Sequence, residues 1–263
     1  MRAKKSLGQH FLRSERALKK IIEAGEVSAA DTILEIGPGQ GALTEKLLAV
    51  GCQLLAVEKD DELYEFLKNK FREEIENKKL ILIHDDILNF DLSKLKAASY
   101  KLIANIPYNI TGAILEKFLS AEYSPSLCVL LVQKEVAERI VAKDGKESIL
   151  SISVKVYGKP TYIETVKAGS FVPRPKVDSA IIAINDISKG FFDVDTECQQ
   201  EEFFRILKAG FKSKRKKLLS NLATIYDKNK VREMFQKLNL DENIRAEDVS
   251  LEIWRQLASI LIK

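Results

Sequence analysis

The stretch Ile33-Leu34-Glu35-Ile36-Gly37-Pro38-Gly39-Gln40-Gly41 (ILEIGPGQG, residues 33–41) decides the fold. Ile33, Leu34 and Ile36 predict a short buried strand, and Gly37, Gly39 and Gly41 free the backbone to turn sharply into the apolar-periodic ALTEKLLAV that follows. Strand, tight loop and helix result. A loop with no Cβ at alternate positions lets a flat ligand lie against the main chain near the N-terminus of the next helix. The spacing is GxGxG, not the GxGxxG of dinucleotide folds. The next apolar run, QLLAVE, ends at Glu58, and an acid at that strand tip is placed to accept both hydroxyls of a ribose and to repel a 2′-phosphate. A structural turn with an incidental surface glutamate matches the same letters, so the later motifs have to decide.

Composition narrows the field. The chain has 263 residues, 46% hydrophobic and 30% charged, which suits a soluble protein with one large domain and a smaller companion. No apolar run approaches the roughly 20 residues of a membrane span, and the N-terminus lacks the apolar core of a signal peptide, so a cytoplasmic location is expected and no membrane partner. Cys52, Cys128 and Cys198 are far apart and only two histidines are present, which suggests neither a disulfide framework nor a metal site. The net charge of +4 is unevenly spread: seven Lys or Arg against one acid between Met1 and Lys20, and seven more with no acid from Phe203 to Tyr226. Lysine-rich segments are usually solvated faces, yet two such clusters favour nucleic acid over an acidic small molecule as partner.

Along the chain, Ser14 and Gly25 bracket a helix, SERALKKIIEAG, preceded by GQHFL, which is either a lid over the ligand cleft or a basic arm with one packing phenylalanine. QLLAVE (strand), DDELYEFLKNKFREEIEN (one helix), KLILIHDD (strand), YKLIANI (strand), TGAILEKFLSA (helix), SLCVLLVQK (strand) and EVAERIVA (helix) predict a parallel, doubly wound sheet with its ligands at the carboxyl ends of the strands. Glu58, Asp85, Asp86 and Asn105 fall at such ends. SILSISVKVY (148–157) fits a strand or a helix equally well. YIETVKAG and KVDSAIIAIN read as strands joined by SFVPRP, a hairpin giving an antiparallel edge. After Asn185 a polar linker leads to three helices, EEFFRILKAGFKSKRKKLLSNLATIY, NKVREMFQKLNL and SLEIWRQLASILI.

NIPY (105–108) directly follows an apolar strand. Pro107 fixes its own φ and has no N–H, so the Asn105 side-chain oxygen and the Ile106 carbonyl can stand as stiff acceptors for an exocyclic purine amine, with the ring stacked on Tyr108. An ordinary Pro-Tyr turn is the bland alternative. With LEIGPGQG, Glu58, HDDIL and NIPY in this order, the chain resembles S-adenosylmethionine-dependent methyltransferases acting on adenine N6. GQHFL, LVQKEVAERI and FVPRPKVDSA narrow the likeness to the ribosomal RNA adenine dimethyltransferases, and KSKRKKLLSNL is similar to the basic helix of the small-subunit branch.

That resemblance implies a class I, Rossmann-like α/β fold with a seven-stranded sheet, its last strand antiparallel, over residues 1–187, and an all-helical RNA-binding domain over 188–263. It resolves 148–157 as helix. It implies S-adenosylmethionine as cofactor, S-adenosylhomocysteine as product and no metal. Cofactor contacts carried over are His10, Leu12, Gly37, Gly39, Glu58, Asp86 and Asn105, with Asp86 on the adenine amine. Asn105, Pro107, Tyr108 and Phe171 would form the catalytic corner, the target adenine lying between Tyr108 and Phe171. A basic helix carrying Arg205, Lys208, Lys212, Arg215, Lys216 and Lys217 would grip RNA. The implied partner is small-subunit (16S) rRNA within a 30S assembly intermediate, bound by a monomer that dimethylates two adjacent adenosines near the 3′ end. The family pattern has a Tyr-Gly pair where this chain has Glu147-Ser148, and many relatives have Asn at His10. Rival expectations are a resistance-type 23S methyltransferase, an RNA-binding assembly or transcription factor that retains the cofactor site, and an NAD oxidoreductase, against which the GxGxG spacing speaks.

Overall fold

The computed structural model describes residues 4, 7–95, 99–143, 145–192 and 197–261. Residues 1–3, 5 and 6 of the basic arm, 193–196 of the linker and the Cys198 side chain lie outside the described part. The chain divides into two compact units, residues 1–137 with 158–187, and residues 138–157 with 188–263. One of the divisions falls at 187/188. The segment 138–157, expected in the first domain, groups with the C-terminal helices instead.

The first unit opens with a two-residue strand, β1 (Phe11–Leu12), and a helix, α1 (Glu15–Ala24), capped by the Ser14 hydroxyl on the Ala17 N–H. Then follow β2 (Thr32–Ile36), α2 (Ala42–Val50), β3 (Gln53–Glu58), α3 (Asp61–Lys70), α4 (Arg72–Glu76), β4 (Leu80–His84), β5 (Lys101–Asn105), α5 (Thr111–Leu119) and β6 (Leu127–Gln133). A helix α6 (Lys134–Val141) leads into the second unit with α7 (Ile149–Lys155), and the chain returns for β7 (Lys159–Val166), β8 (Phe171–Val172) and β9 (Ser179–Asn185). The seven-stranded order is β4-β3-β2-β5-β6-β9-β7. β2 to β6 pair in parallel, and β9 is antiparallel to both β6 and β7. β6, buried from Leu127 to Val132, shows the unbroken apolar run of a strand covered on both faces. The two strands flanking SFVPRP pair as expected, but β9 sits inside the sheet and β7 is the edge, while β8 pairs separately with β1.

Gly41 shows why the loop needs its last glycine. Its φ is +81°, and a Cβ there would lie 2.6 Å from the Phe71 ring. Phe71 in turn interrupts the long helix expected over 60–77: with φ −110° and ψ 33° it separates α3 from α4 and turns its ring under the loop.

In the second unit, α7 confirms the helical alternative for 148–157. Ser148 and Ser151 form a reciprocal capping box, which outweighs the β-propensity of the isoleucines and valines. Beyond the linker come α8 (Glu197–Gly210), α9 (Leu218–Leu222), α10 (Lys228–Lys237) and α11 (Leu251–Leu261). The single helix expected over 201–226 is broken at 211–217. Two causes are visible. A Cβ on Gly210 would sit 2.3 Å from the fully buried Trp254, so α8 ends against α11. The buried Asn221 side chain donates to the carbonyls of Gly210 (2.6 Å) and Ser213 (3.1 Å), taking over acceptors that a continuing helix would use.

Candidate active site

The carboxyl ends of β2, β3, β4 and β5, roofed by residues 7–13, enclose a cavity of about 560 Å³. His10, Leu12, Gly37, Gly39, Glu58, Asp86 and Asn105 all line it, as do Pro107 and Tyr108. The expected cofactor residues and most of the expected catalytic corner therefore share one chamber.

Glu58 ends β3 and is 5% exposed. Its Oε2 accepts from the Gly39 N–H (3.1 Å), and its Oε1 from the N–H groups of Lys59 (3.0 Å) and Asp60 (2.9 Å). Burial pushes its pKa up, and these three bonds oppose that. A carboxylate offers about four lone-pair positions, so the set leaves acceptor capacity toward the cavity. Nothing lies within 4 Å of where a Gly37 Cβ would stand, whereas at Gly39 a Cβ would meet the Phe11 ring at 3.0 Å. Asp86, just past β4, accepts from Lys59 Nζ (2.7 Å) and from the Leu88 N–H (3.0 Å). The Lys59 bond, more than any other influence, holds its pKa below the usual carboxylate range.

The NIPY corner closes the chamber. Asn105 Nδ2 donates to the His10 carbonyl at 3.2 Å, and Oδ1 accepts no hydrogen bond among the described residues. The Tyr108 hydroxyl is pinned 2.7 Å from Oγ of the fully buried Ser179, and the Thr111 hydroxyl donates to the Tyr108 carbonyl (3.1 Å). The His10 ring stacks on Tyr108 with centroids 5.8 Å apart, and its Nδ1 donates to the Pro173 carbonyl (2.8 Å). The arm thus acts as a roof, as one of its two expected roles required.

Phe171 departs from expectation. It is 2% exposed, belongs to the central apolar cluster and does not line the cavity. Pairing of Leu12 with Phe171 between β1 and β8 fixes its backbone, and the surrounding leucines and isoleucines take its ring. The aromatic group lying against Tyr108 is His10.

Two further carboxylates bear on the chamber: Asp60 lies outside every quoted family motif, and Glu35 lies inside LEIGPGQG but carried no expected role. Asp60, 3% exposed, caps α3 and holds the arm through Lys4 and Gln9. Glu35, 1% exposed, lines the cavity and accepts from the Thr44 hydroxyl (2.8 Å). Its signal was a lone charge inside the apolar run ILEI. Burial pushes its pKa from an ordinary 4.5 up to about 8, the Thr44 hydroxyl opposing and Glu58 adding. The folded protein therefore keeps this proton after the unfolded chain has lost it, and the associated stability, full below pH 4.5, drains away as pH rises toward 8. Glu35→Gln, isosteric and uncharged, is expected to gain stability relative to wild type between pH 5 and 8 and to level off above. Thermal melts of both proteins across that range check it.

Of the residues expected on one basic helix, Arg205 and Lys208 lie on α8, whereas Lys212, Arg215, Lys216 and Lys217 sit in the turn between α8 and α9. Lys212, Lys214, Arg215, Lys216 and Lys217 are all exposed. Lys217 donates to Asn243 (2.6 Å), while Lys212, Lys214, Arg215 and Lys216 form no ion pair among the described residues. Arg205, by contrast, is engaged by Glu202 and Tyr226. Among the described residues no group of three or more His, Cys, Asp or Glu is arranged to hold a metal ion, and no helix is long and apolar enough to cross a membrane.

A family profile described as ribosomal RNA adenine dimethylase matches residues 1–263. The chain is 42% identical over 265 residues to a ribosomal RNA small subunit methyltransferase A of Dehalococcoides mccartyi, covering 98% of this chain and 88% of that one. Among solved structures, a dimethyladenosine transferase from Plasmodium falciparum superposes with a TM-score of 0.79 at 26% identity, covering 94% of this chain and 96% of that one. The 23S rRNA methyltransferase ErmE superposes at 0.76 with 23% identity, covering 96% and 100%, a likeness of fold.

Proposed function

The chain belongs to the ribosomal RNA adenine dimethylase family and is a methyltransferase of small-subunit rRNA adenine; from that premise we propose that the chamber at the ends of β2 to β5 transfers methyl groups from S-adenosylmethionine to N6 of two adjacent adenosines near the 3′ end of 16S rRNA. The observation that carries the site is Asn105: its amide nitrogen is committed to the His10 carbonyl, so its oxygen is the atom left for a substrate in the same cavity as Glu58.

The residues present fit the cofactor. The volume suits a nucleoside with an amino-acid tail, Glu58 retains acceptor positions for ribose hydroxyls, and the space over Gly37 is open. His10, Leu12, Gly37, Gly39, Glu58, Asp86 and Asn105 would hold it, Asp86 accepting from the adenine amine. When bound, the cofactor supplies an electrophilic sulfonium methyl. The amine of adenine is a poor nucleophile because its lone pair is delocalised into the ring. Asn105 Oδ1 and the Ile106 carbonyl favour the pyramidal form as positive charge develops, and Pro107 keeps the two acceptors stiff. Tyr108, fixed by Ser179, offers a stacking face to the extruded base worth about 1–3 kcal/mol. With Phe171 buried, a two-sided sandwich requires the arm or β8 to shift on RNA binding. Catalysis then rests mainly on placement.

The enzyme acts in the cytoplasm as a monomer on a 30S assembly intermediate, held in part by the cationic turn at 212–217. Those charges neutralise backbone phosphates without reading sequence. Arg215→Gln with Lys216→Gln is expected to reduce the slope of log affinity against log salt by about 0.7–0.9 per lost contact, leaving cofactor affinity unchanged. Titration of labelled 16S rRNA fragments at several salt concentrations checks it. The function itself is tested by transfer of labelled methyl to immature small subunits, to naked 16S rRNA and to 23S rRNA, with the modified positions mapped by primer extension. Label on two adjacent adenosines of the small subunit is expected. Label on 23S rRNA would favour the resistance-type enzyme, and no label with intact RNA binding would favour an assembly factor.

A further inference from the structure

The roof of the cavity is tied down on both sides. On one, Phe11 and Leu12 pair with Val172 and Phe171. On the other, Asp60 accepts from Lys4 Nζ (3.0 Å) and Gln9 Nε2 (3.1 Å), while its Oδ1 also caps α3 through the N–H groups of Glu62 and Leu63. Gln9 is gripped twice, because its Oε1 accepts the Lys4 backbone N–H at 2.7 Å. Its neighbour Gly8 lies over the NIPY corner, where a Cβ would come within 3.4 Å of Asn109 Oδ1 and 3.7 Å of the Pro107 ring. Its other neighbour is His10, whose carbonyl receives the Asn105 amide.

An asparagine side chain can present either its oxygen or its nitrogen to a cavity, and only the network around it chooses. Nitrogen inward, Asn105 would point a donor at an incoming amine. A backbone carbonyl can only accept, so the His10 carbonyl forces Nδ2 outward and Oδ1 inward.

We propose that Gln9, clamped by Asp60, is a positioning residue that sets the His10 carbonyl and through it the orientation of the Asn105 amide. This rests on the function assigned to Asn105 above. Gln9 also lines the cavity, so cofactor affinity has to be measured separately from rate.

The test is a double-mutant cycle in single-turnover methyl transfer to small subunits, with cofactor and RNA saturating. Gln9→Ala is expected to slow transfer about tenfold while cofactor Kd stays within about twofold, since misplacement by a fraction of an ångström costs rate more than binding. On an Asn105→Ala background the same change is expected to alter the rate by less than about twofold, because the group it orients is gone. Gln9→Glu, which sets a second carboxylate against Asp60, is expected to be at least as slow as Gln9→Ala. Equal losses on both backgrounds, a loss explained by weaker cofactor binding, or a wild-type rate for Gln9→Glu overturns the positioning role and leaves the function standing. A full rate for Asn105→Ala alone sinks both.

Discussion

Asn105→Ala is expected to lower turnover of saturating small-subunit rRNA by about 10²- to 10³-fold, the range found when one preorganised polar group facing a developing charge is removed. The loss belongs in the chemical step. Oδ1 gains importance as N6 pyramidalises and becomes positive, so the acceptor interacts more strongly with the transition state than with the bound base. RNA affinity is expected to hold, because the proposed phosphate contacts lie on other residues. Single-turnover rates with parallel binding titrations separate the two. A turnover within a few-fold of wild type would remove Asn105 from the mechanism. Asn105→Asp is expected to fail as well, because its carboxylate would face the His10 carbonyl that now receives a donor.

The second large effect is on cofactor binding. Glu58→Gln is expected to weaken it by about 3 kcal/mol, roughly a hundredfold, since hydrogen bonds to a charged acceptor contribute about 1.5–3 kcal/mol each. The isosteric change is harsh here for a local reason. Glu58 is met by N–H groups at both oxygens, from Gly39 on one and from Lys59 and Asp60 on the other. Either orientation of a glutamine amide sets a donor against a donor. Calorimetric titration with S-adenosylmethionine checks it, and an affinity within threefold of wild type would contradict a ribose anchored at Glu58.

What the sequence revealed and what it hid follow from the same physics. Gly37, Gly39 and Gly41 all adopt positive φ, a backbone demand that few residues except glycine meet, so the loop could be read from letters alone. Glu58, Asp86 and NIPY follow apolar strands, and strand ends are where such sheets place their ligands. Tertiary contacts decided what stayed hidden. Lys, Arg and Leu are good helix formers, so beyond Gly210 nothing local warns that 211–217 leaves the helix; the cause is Asn221, several residues on, and Trp254 far along the chain. Phe71 looks like one more apolar position on a helical stripe, and only Gly41 explains why it ends the turn. Phe171 carries a family motif, yet its backbone pairing with Leu12 commits it to the core. Asp60 and Gln9 meet across a long stretch of chain, and no spacing rule reveals such a pair.

On the proposed function, the buried amide of Asn221 bears on how a ribosomal particle would be met. By holding the carbonyls of Gly210 and Ser213, it makes the cationic turn a pre-shaped knuckle instead of a floppy tail. Docking such a knuckle freezes little beyond the side chains themselves, so less of each phosphate contact is lost to ordering. A stiff knuckle also suits only phosphates already spaced to match it. Selectivity for a folded particle over loose RNA can then arise from contour, with no base read at all.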